Sequence, residues 1–158
     1  MEFLLLLGLA LVGLRVLALR DTRERIALLA SHLQRHRIEP RMGQLIDGYL
    51  RAAGEPDPER AQPDWQNLAE VEQALAGELT QLAADLQGVW GERMRVCRWP
   101  VAVPHATRFF PHAGFDFRAL VQVHAQGFQA VLRNDEALAP RDRAFRATAE
   151  LLLFQHSC

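Results

Sequence analysis

The side chains best suited to chemistry in this chain are histidines and cysteines of its second half. Three or four such side chains bind a zinc ion, and they also serve as axial ligands of haem iron. Their spacing matches no known site of this kind, because the chain contains no CxxC, HExxH or CxxCH sequence. We therefore predict no metal site and no cofactor. The weak candidate ligands are His105, His112, His124, His156, Cys97 and Cys158.

His124 and His156 each fall on the apolar side of a predicted helix. If the two helices pack together, the rings come close, but a hydrogen-bonded core histidine is the commoner reason for this pattern. His32 and His36 stand four residues apart on another helix, a spacing that can hold a metal ion. They lie within a basic run, which repels a cation, so a metal site is disfavoured there as well.

Sequence motifs of common enzymes are missing from the chain. No serine lies in a G-x-S-x-G elbow, and no G-x-x-x-x-G-K-[ST] phosphate loop is present. Ser157 follows His156 directly, but neighbouring positions on a helix point in different directions. Four carboxylates of an acidic helix lack the Glu-x-x-His pattern of di-iron bundles, which favours a solvated helix face. They are Glu70, Glu72, Glu78 and Asp85. We predict no catalytic residues and favour a non-enzymatic role.

An irregular segment over residues 91–115 combines arginine with aromatic side chains. It has three prolines and no helical period, and a long irregular segment in a small domain is often functional. Such a mixture is typical of binding hot spots and also of the head-group region of membranes. The alternative is a loop whose rings plug the end of a bundle while its arginines face water. The residues predicted to contact a partner or lipid are Arg93, Arg95, Arg98, Trp99, Arg108, Phe109 and Phe110.

The N-terminal segment, residues 3–19, is apolar on all sides apart from Arg15. Its 17 residues make a helix of about 26 Å, close to the roughly 30 Å core of a bilayer. Arg15 lies near one end, where its head group can reach the interface. We predict a single membrane-spanning helix over residues 1–19, continuous with a helix to residue 37. The alternatives are a cleaved signal peptide, which the acidic Glu2 and a poor cleavage site disfavour, and a helix buried in a soluble protein or at a dimer interface.

The placement of arginines predicts the orientation of this span. Arg15, Arg20, Arg23 and Arg25 lie within or after the apolar segment, and no basic residue precedes it. Basic residues stay on the cytoplasmic side, so residues 20–158 are expected there as one helical domain. Two cysteines are too few for a disulfide scaffold in so small a chain, which agrees with a reducing compartment.

Helical patterns dominate the chain and predict an all-α fold, with a bundle of about four helices behind the N-terminal segment. Helices are expected over residues 3–37, 41–53, 64–88, 116–138 and 140–158, with loops at 54–63 and 91–115. Pro40 ends the first helix, and Asp64 and Asp116 cap the third and fourth. Leucines that recur every seven residues in the third helix are too few for a coiled coil and favour bundle packing. The last helix is expected to turn inward Phe145, Thr148, Ala149, Leu152 and His156.

Charge is balanced overall but unevenly distributed. The 18 basic residues are all arginine and nearly cancel 19 acidic ones, and a net charge of −1 argues against a general nucleic-acid binder. Residues 15–37 are basic and residues 54–86 are acidic. The basic part is suited to anionic lipid or to the acidic part of the same chain.

These patterns favour a membrane-anchored, non-catalytic interaction or assembly protein on the cytoplasmic face of a membrane. It is expected to contact the membrane through residues 3–19 and to have a protein partner. One alternative is a helical protein, with or without enzymatic activity, that binds a small ligand or metal through residues 91–124. The other is a soluble bundle whose N-terminal helix is buried.

Overall fold

The computed structural model describes residues 2–97, 112 and 114–157, with side-chain positions for all of these except 2–5, 10, 11, 18, 21, 22, 25, 26, 92, 93 and 97. In chain order they form α1 (Glu2–Leu33), α2 (Ile38–Gly54), α3 (Pro58–Gln87), a 3-10 helix (Gly91–Met94), β1 (Arg95–Cys97), β2 (Gly114–Asp116), α4 (Phe117–Arg133) and α5 (Pro140–Ser157). These residues are mostly helical, which confirms the predicted all-α class.

One face of each of α2, α3, α4 and α5 builds the core. α3 packs against α2 and α4, and α5 packs against α4 and α2, which closes a four-helix bundle. The recurring leucines of α3 are all buried, so their period serves bundle packing as predicted; they are Leu68, Leu75, Leu79, Leu82 and Leu86. Leu45 from α2, Phe128 from α4 and Leu151 from α5 fill the same core. Removal of this apolar surface from water is the main stabilising contribution.

α1 joins the bundle through its C-terminal part. Leu28, Leu29 and Leu33 are partly buried and pack against the core. Every side chain described from Leu6 to Arg20 is exposed. Within the part of the chain that the structure describes, no helix combines the length and the hydropathy needed to cross a bilayer, so the predicted single-pass span over residues 1–19 is not supported.

An elbow of residues 34–37 separates α1 from α2. α1 ends with tight turns in which the Arg35 N–H donates to the His32 carbonyl and the His36 N–H donates to the Leu33 carbonyl. Pro40 was expected to end the first helix, but it lies in the first turn of α2, which begins at Ile38. A proline fits there because the first-turn N–H groups of a helix have no intrahelical partner.

The connection between α2 and α3 is shorter than the predicted loop over residues 54–63. α3 begins at Pro58, and Asp57 caps it by accepting a 3.0 Å hydrogen bond from the Glu59 N–H. Pro58 suits the first helical position, since its missing N–H and preset φ cost nothing there. The predicted N-cap at Asp64 is therefore wrong. Pro63 lies inside the helix, where it removes one backbone hydrogen bond without ending α3.

The two ends of the irregular segment pair as a short antiparallel sheet. Arg95 lies opposite Asp116, and Cys97 lies opposite Gly114. Asp116 also caps α4 as predicted, because its carboxylate accepts a 3.0 Å hydrogen bond from the Arg118 N–H. Residues 98–111 and 113 of the predicted loop over 91–115 lie outside the described residues.

α5 turns a different face inward from the one predicted. Its buried side chains are Ala144, Ala147, Leu151 and Phe154, whereas Phe145 and Leu152 of the predicted face are exposed. The two faces differ by one residue, or about 100° of rotation. The four consecutive apolar residues 151–154 lie on all sides of the helix, so the sequence pattern does not indicate which side is buried. The rotation is set at the preceding turn, where Asn134 has a φ of 52° and its side-chain amide bonds both backbone groups of Leu138.

Candidate functional site

An exposed apolar surface lies on the N-terminal half of α1. We call it the α1 leucine surface; its described side chains are Leu6, Leu7, Leu9, Val12, Leu14, Val16, Leu17 and Leu19. They are between 44% and 71% exposed, and their positions are distributed around the helix. Each Å² of apolar surface that leaves water contributes about 25 cal/mol. This half of α1 therefore favours any apolar environment over water.

Three exposed arginines lie within or just beyond the α1 leucine surface. They are Arg15, Arg20 and Arg23. Among the described side chains, no carboxylate forms an ion pair with any of them. The acidic residues 54–86 were one predicted partner for the basic residues 15–37. Within the described residues, they form no ion pair with these three arginines. Their charges are available to anionic groups outside the bundle.

The acidic helix does pair with the elbow and the start of α2. His36 Nε2 lies 3.1 Å from Asp85 Oδ2, and Arg41 Nε lies 2.9 Å from Glu78 Oε1. Gln81 donates a 2.9 Å hydrogen bond to the other Asp85 oxygen. The Gln81 hydrogen bond and the neighbouring His36 hold the pKa of Asp85 below its usual value. Asp85 therefore stays ionised well into the acidic range.

Glu72 is not part of a solvated face, and the prediction that grouped it with Glu70, Glu78 and Asp85 is wrong for this residue. Its side chain is 3% exposed. Tyr49 donates a 2.7 Å hydrogen bond to one carboxylate oxygen, and Arg143 donates a 2.8 Å bond to the other. Burial, together with the hydrogen bond to Glu72, raises the pKa of Tyr49 far above its ordinary value.

This network joins α2, α3 and α5 in the interior. Both Glu72 oxygens have partners, and the carboxylate is closed to solvent, so the arrangement suits positioning of helices rather than reaction with a substrate. One sequence signal could have found it: Glu72 lies four residues after Leu68 and three before Leu75, on the same helical stripe. A charge on a buried stripe implies a buried partner.

His124 lies between α4 and α5 and meets residues that the sequence did not associate with it. Its Nε2 is 3.4 Å from Ser157 Oγ, and its Nδ1 is 3.7 Å from Glu150 Oε2. Phe154 contacts the ring edge-on, with centroids 5.9 Å apart. His156, the predicted neighbour, is exposed. The structure thus brings His124 to the C-terminal end of α5, but to Ser157 and Glu150 rather than to His156.

A serine, a histidine and a glutamate in contact resemble a nucleophile with its base, yet the geometry opposes that chemistry. Ser157 already donates its hydroxyl proton to the Leu153 carbonyl at 2.7 Å. The group also sits at the C-terminal end of α5, whose dipole is negative there and disfavours a developing oxyanion. The geometry at His124 therefore gives no support to a serine nucleophile with a histidine base.

The candidate metal ligands are not assembled in the described part of the chain. Cys97 lies in β1 and His112 is exposed, while His105 and Cys158 lie outside the described residues. Among the residues that the structure places, no three histidine, cysteine, aspartate or glutamate side chains are grouped so as to hold an ion.

The arginine and aromatic residues predicted to contact a partner are placed only in part. Arg93 lies in the 3-10 helix and Arg95 in β1. Five others fall outside the described residues: Arg98, Trp99, Arg108, Phe109 and Phe110. Their role in partner or lipid contact stays a prediction.

Trp90 stands next to this segment and was missed in the sequence. It is 82% exposed, which is unusual for a ring whose burial is strongly favourable. Arg118 holds the backbone beside it, because its guanidinium donates a 3.1 Å hydrogen bond to the Val89 carbonyl and also donates to both Asp116 carboxylate oxygens. The side-chain bond from Arg118 lowers the pKa of Asp116. Trp90 thus projects from a turn that an ion pair anchors to β2.

A groove of about 810 Å³ lies where the ends of α1 and α5 meet the start of α2. Leu33, Ile38, Met42 and Phe154 form much of its apolar wall, and His36 lies at its edge. This volume falls within the range of roughly 300–1,000 Å³ that ligand sites occupy. The groove is far in sequence from residues 91–124, where ligand binding was the alternative prediction.

No protein-family model, curated protein or solved structure matches this chain. What the chain does must therefore follow from its own surfaces and contacts. The surfaces of the kind that partners or lipids cover include, among the described residues, the α1 leucine surface and the exposed Trp90.

Proposed function

We propose that this chain is a membrane-anchored, non-catalytic interaction or assembly protein. The observation that carries the proposal is the α1 leucine surface. A complete four-helix core forms without it, and its described side chains remain exposed. A helix that is apolar on all sides belongs in lipid or inside protein, and the bundle of this chain does not enclose it.

Lipid is the environment that suits the composition of residues 3–19. Leucine, valine and phenylalanine contribute about −0.3 to −0.6 kcal/mol each to insertion, while a central arginine costs about 2.5 kcal/mol or more. Nine leucines, two valines and one phenylalanine face a single arginine in this segment. The sum favours insertion by about 3 kcal/mol.

The exposed arginines support a cytoplasmic position for the bundle. Arg20 and Arg23 directly follow the apolar segment, and Arg15 lies near its C-terminal end. Arginines next to an inserted helix remain on the cytoplasmic side and meet anionic head groups there. In this orientation residues 20–158 stand in the cytoplasm, with α1 as the connection to the membrane.

A protein partner is the second part of the proposal. Tryptophan and arginine are enriched at the centres of protein interfaces. Trp90 is exposed next to the segment that contains the predicted contact residues. We propose that this end of the bundle binds the partner, while α1 holds the complex at the membrane.

Alkaline carbonate extraction of membranes from cells that make the full chain tests the anchor. We expect the native chain to stay in the membrane pellet, because inserted helices resist extraction. Replacing two exposed side chains of α1 by arginine, Leu9→Arg with Val12→Arg, adds about 5 kcal/mol to the cost of insertion. That variant should move to the supernatant.

The matched control is Leu50→Arg, because Leu50 is an exposed leucine of the bundle, 68% exposed against 71% for Leu9. This variant should remain in the pellet. The proposal fails if the native chain is released by carbonate, or if the double variant is retained as firmly as the control. A released chain that sediments as a dimer would instead place the α1 leucine surface at an interface between two copies.

A further inference from the structure

We infer that the outward side of α5 is an interface with a second copy of this chain, in which the two α5 helices pack antiparallel. We call this side the α5 outer face; its residues, all exposed, are Asp142, Phe145, Ala149, Leu152, Leu153 and His156. The inference does not rest on the proposed membrane attachment, because this face belongs to the bundle and not to the α1 leucine surface.

α5 has apolar side chains on two opposite sides. Its buried side consists of Ala144, Ala147, Leu151 and Phe154. Successive residues of a helix are turned by about 100°, so Phe145, Ala149 and Leu153 form a second stripe, centred on the side opposite the buried one. The outward side of a bundle helix is ordinarily polar. An apolar stripe there indicates a second surface that packs against it.

The other bundle helices lack such a stripe. Within the described residues, α2 and α4 each expose one large apolar side chain, Leu50 and Val123, and α3 exposes none. α5 exposes three, Phe145, Leu152 and Leu153, each at 50–60%. Single exposed apolar residues are common on protein surfaces, whereas a cluster on one helix face is typical of an interface.

The spacing of residues on the α5 outer face is symmetric about Ala149. Phe145 and Leu153 lie four residues before and after it, and Asp142 and His156 lie seven residues before and after it. In a two-fold contact between identical chains, a residue that meets a second residue of the other copy is met by the same pair in return. Two antiparallel α5 helices with the two-fold axis beside Ala149 satisfy this condition.

The residues that this arrangement brings together are chemically complementary. Phe145 of each copy packs against Leu153 of the other, and the Asp142 carboxylate lies opposite a ring N–H donor of His156. Among the described residues, neither Asp142 nor His156 takes part in a hydrogen bond or ion pair. Arg146, the cation near Asp142, donates to Glu136 instead. A lipid surface or an unrelated protein does not require symmetric spacing, but a second copy does, so we assign the face to a second copy.

Ala149 at the centre of the face allows the two helices to approach closely. Packed helices have axes about 8–10 Å apart, and small side chains at the crossing favour the shorter distance. The exposed Arg141 and Arg146 flank the apolar centre. An apolar centre with a polar rim is the ordinary arrangement of a protein interface.

The size of the face indicates a reversible dimer. α5 has 18 residues, which make a helix of about 27 Å. One such helix from each copy gives an interface at or below the low end of the range of about 1,200–2,000 Å² that stable complexes bury. We therefore expect a dimer that dissociates at roughly micromolar concentrations.

Cysteine cross-linking of the full chain tests the contact. The chain is kept in a mild detergent that covers the α1 leucine surface, with Ala149→Cys in a background of Cys97→Ser and Cys158→Ser. Helix axes about 8–10 Å apart bring the two Cα atoms at position 149 to within about 5 Å, which suits a disulfide. Oxidation with copper phenanthroline should give a covalent dimer on non-reducing gels.

The matched control is Ala84→Cys in the same background. Ala84 is an exposed alanine of α3, the helix that lies across the bundle from α5. We expect at least about fivefold more covalent dimer from Ala149→Cys than from this control. Equal yields from the two positions would overturn the inference.

A charge exchange tests the antiparallel register. In the Ala149→Cys background, His156→Glu places a carboxylate opposite Asp142 and should lower the cross-linking yield at least about threefold. Adding Asp142→Arg restores opposite charges and should recover the yield. A double variant that stays as low as the single one would overturn the proposed pairing.

Further variants separate this interface from a dimer through α1, which sedimentation alone does not distinguish. Leu9→Arg with Val12→Arg should leave cross-linking at position 149 unchanged, and its loss would place the contact at α1 and overturn the inference. Phe145→Asp, at an exposed position, should lower the yield at least about tenfold. Far-ultraviolet circular dichroism checks that each variant is folded, and if the charge exchange lowers helix content, Phe145→Asp decides.

Discussion

α1 and α3 are both long and rich in leucine, with 32 and 30 residues, yet they have opposite places in the molecule. α3 repeats its leucines along one stripe, and that stripe is buried. α1 distributes apolar residues on all sides, and the described ones from Leu6 to Leu19 are exposed. The comparison teaches that the period of the apolar residues, rather than their number, decides whether a helix can join a bundle. A helix with no polar side has no face to turn to water.

The largest effect that tests this comparison comes from removing one leucine from each helix. Leu75→Ala should lower the free energy of unfolding by about 2–5 kcal/mol, because Leu75 is 0% exposed and its loss leaves a cavity. Leu9→Ala, at an exposed position, should change it by less than about 0.5 kcal/mol. Urea denaturation followed by circular dichroism measures both. Equal losses in the two variants would show that α1 leucines are packed as α3 leucines are.

A smaller effect comes from one charged residue in each helix. These residues are Glu72 on the buried stripe of α3 and Arg15 in the apolar segment of α1. Glu72→Ala should lower the free energy of unfolding by about 2–3 kcal/mol, since it leaves the Tyr49 hydroxyl and the Arg143 guanidinium without their acceptor. Arg143 retains some contact with water, at 19% exposure, which keeps the loss in that range. Arg15→Ala should leave unfolding unchanged, because Arg15 is exposed and has no ion pair among the described side chains.

The double variant Glu72→Ala with Arg143→Ala checks that the loss arises from the buried pair. It should be less destabilised than the sum of the two single variants, because residues in direct contact do not act additively. If the losses in the free energy of unfolding were additive, the two side chains would contribute separately. The buried ion pair would then not distinguish α3 from α1, and the two helices would differ only in apolar packing.

The smallest effect comes from the side-chain hydrogen bonds near one end of each helix, at the start of α3 and near the end of α1. Asp57→Ala should cost about 1 kcal/mol, because the Asp57 carboxylate satisfies the Glu59 N–H at the start of α3. Ser31→Ala near the end of α1 should have almost no effect, since the Ser31 hydroxyl bonds the Leu28 carbonyl within the helix. The same denaturation experiment compares them. A larger loss for Ser31→Ala would mean that α1 depends on its end contacts more than α3 does.

The helices and the α3 core stripe could be predicted because they depend on residues close in sequence. The seven-residue recurrence of Leu68, Leu75 and Leu82 indicates a buried face without any knowledge of the partner helix. The pattern predicts that α3 starts after an N-cap at Asp64, because the prolines before it favour a loop, whereas the helix begins at Pro58, which suits a first helical turn. Helix ends depend on caps that compete within a few residues, so they are harder to predict than helices themselves.

The surfaces and contacts were predictable to a lesser degree. Residues 3–19 indicate by composition alone that they need an apolar environment. The sequence did not indicate that Trp90 would be exposed, or that Phe145 and Leu152 would point away from the core. The direction of Phe145 and Leu152 depends on how α4 and α5 are oriented at their connection, where Asn134 has left-handed dihedral angles, and no local period records that orientation.

By itself the sequence determined that the chain is helical, that α3 has one buried stripe, and that residues 3–19 are apolar on all sides apart from Arg15. Hydrophobic period and composition act over a few turns, so they can be recognised in the chain before it folds. Only the tertiary structure decided which charges are buried and which contacts join the helices. Glu72 meets Arg143 across 71 residues and His36 meets Asp85 across 49, and such pairs exist only once the helices have packed.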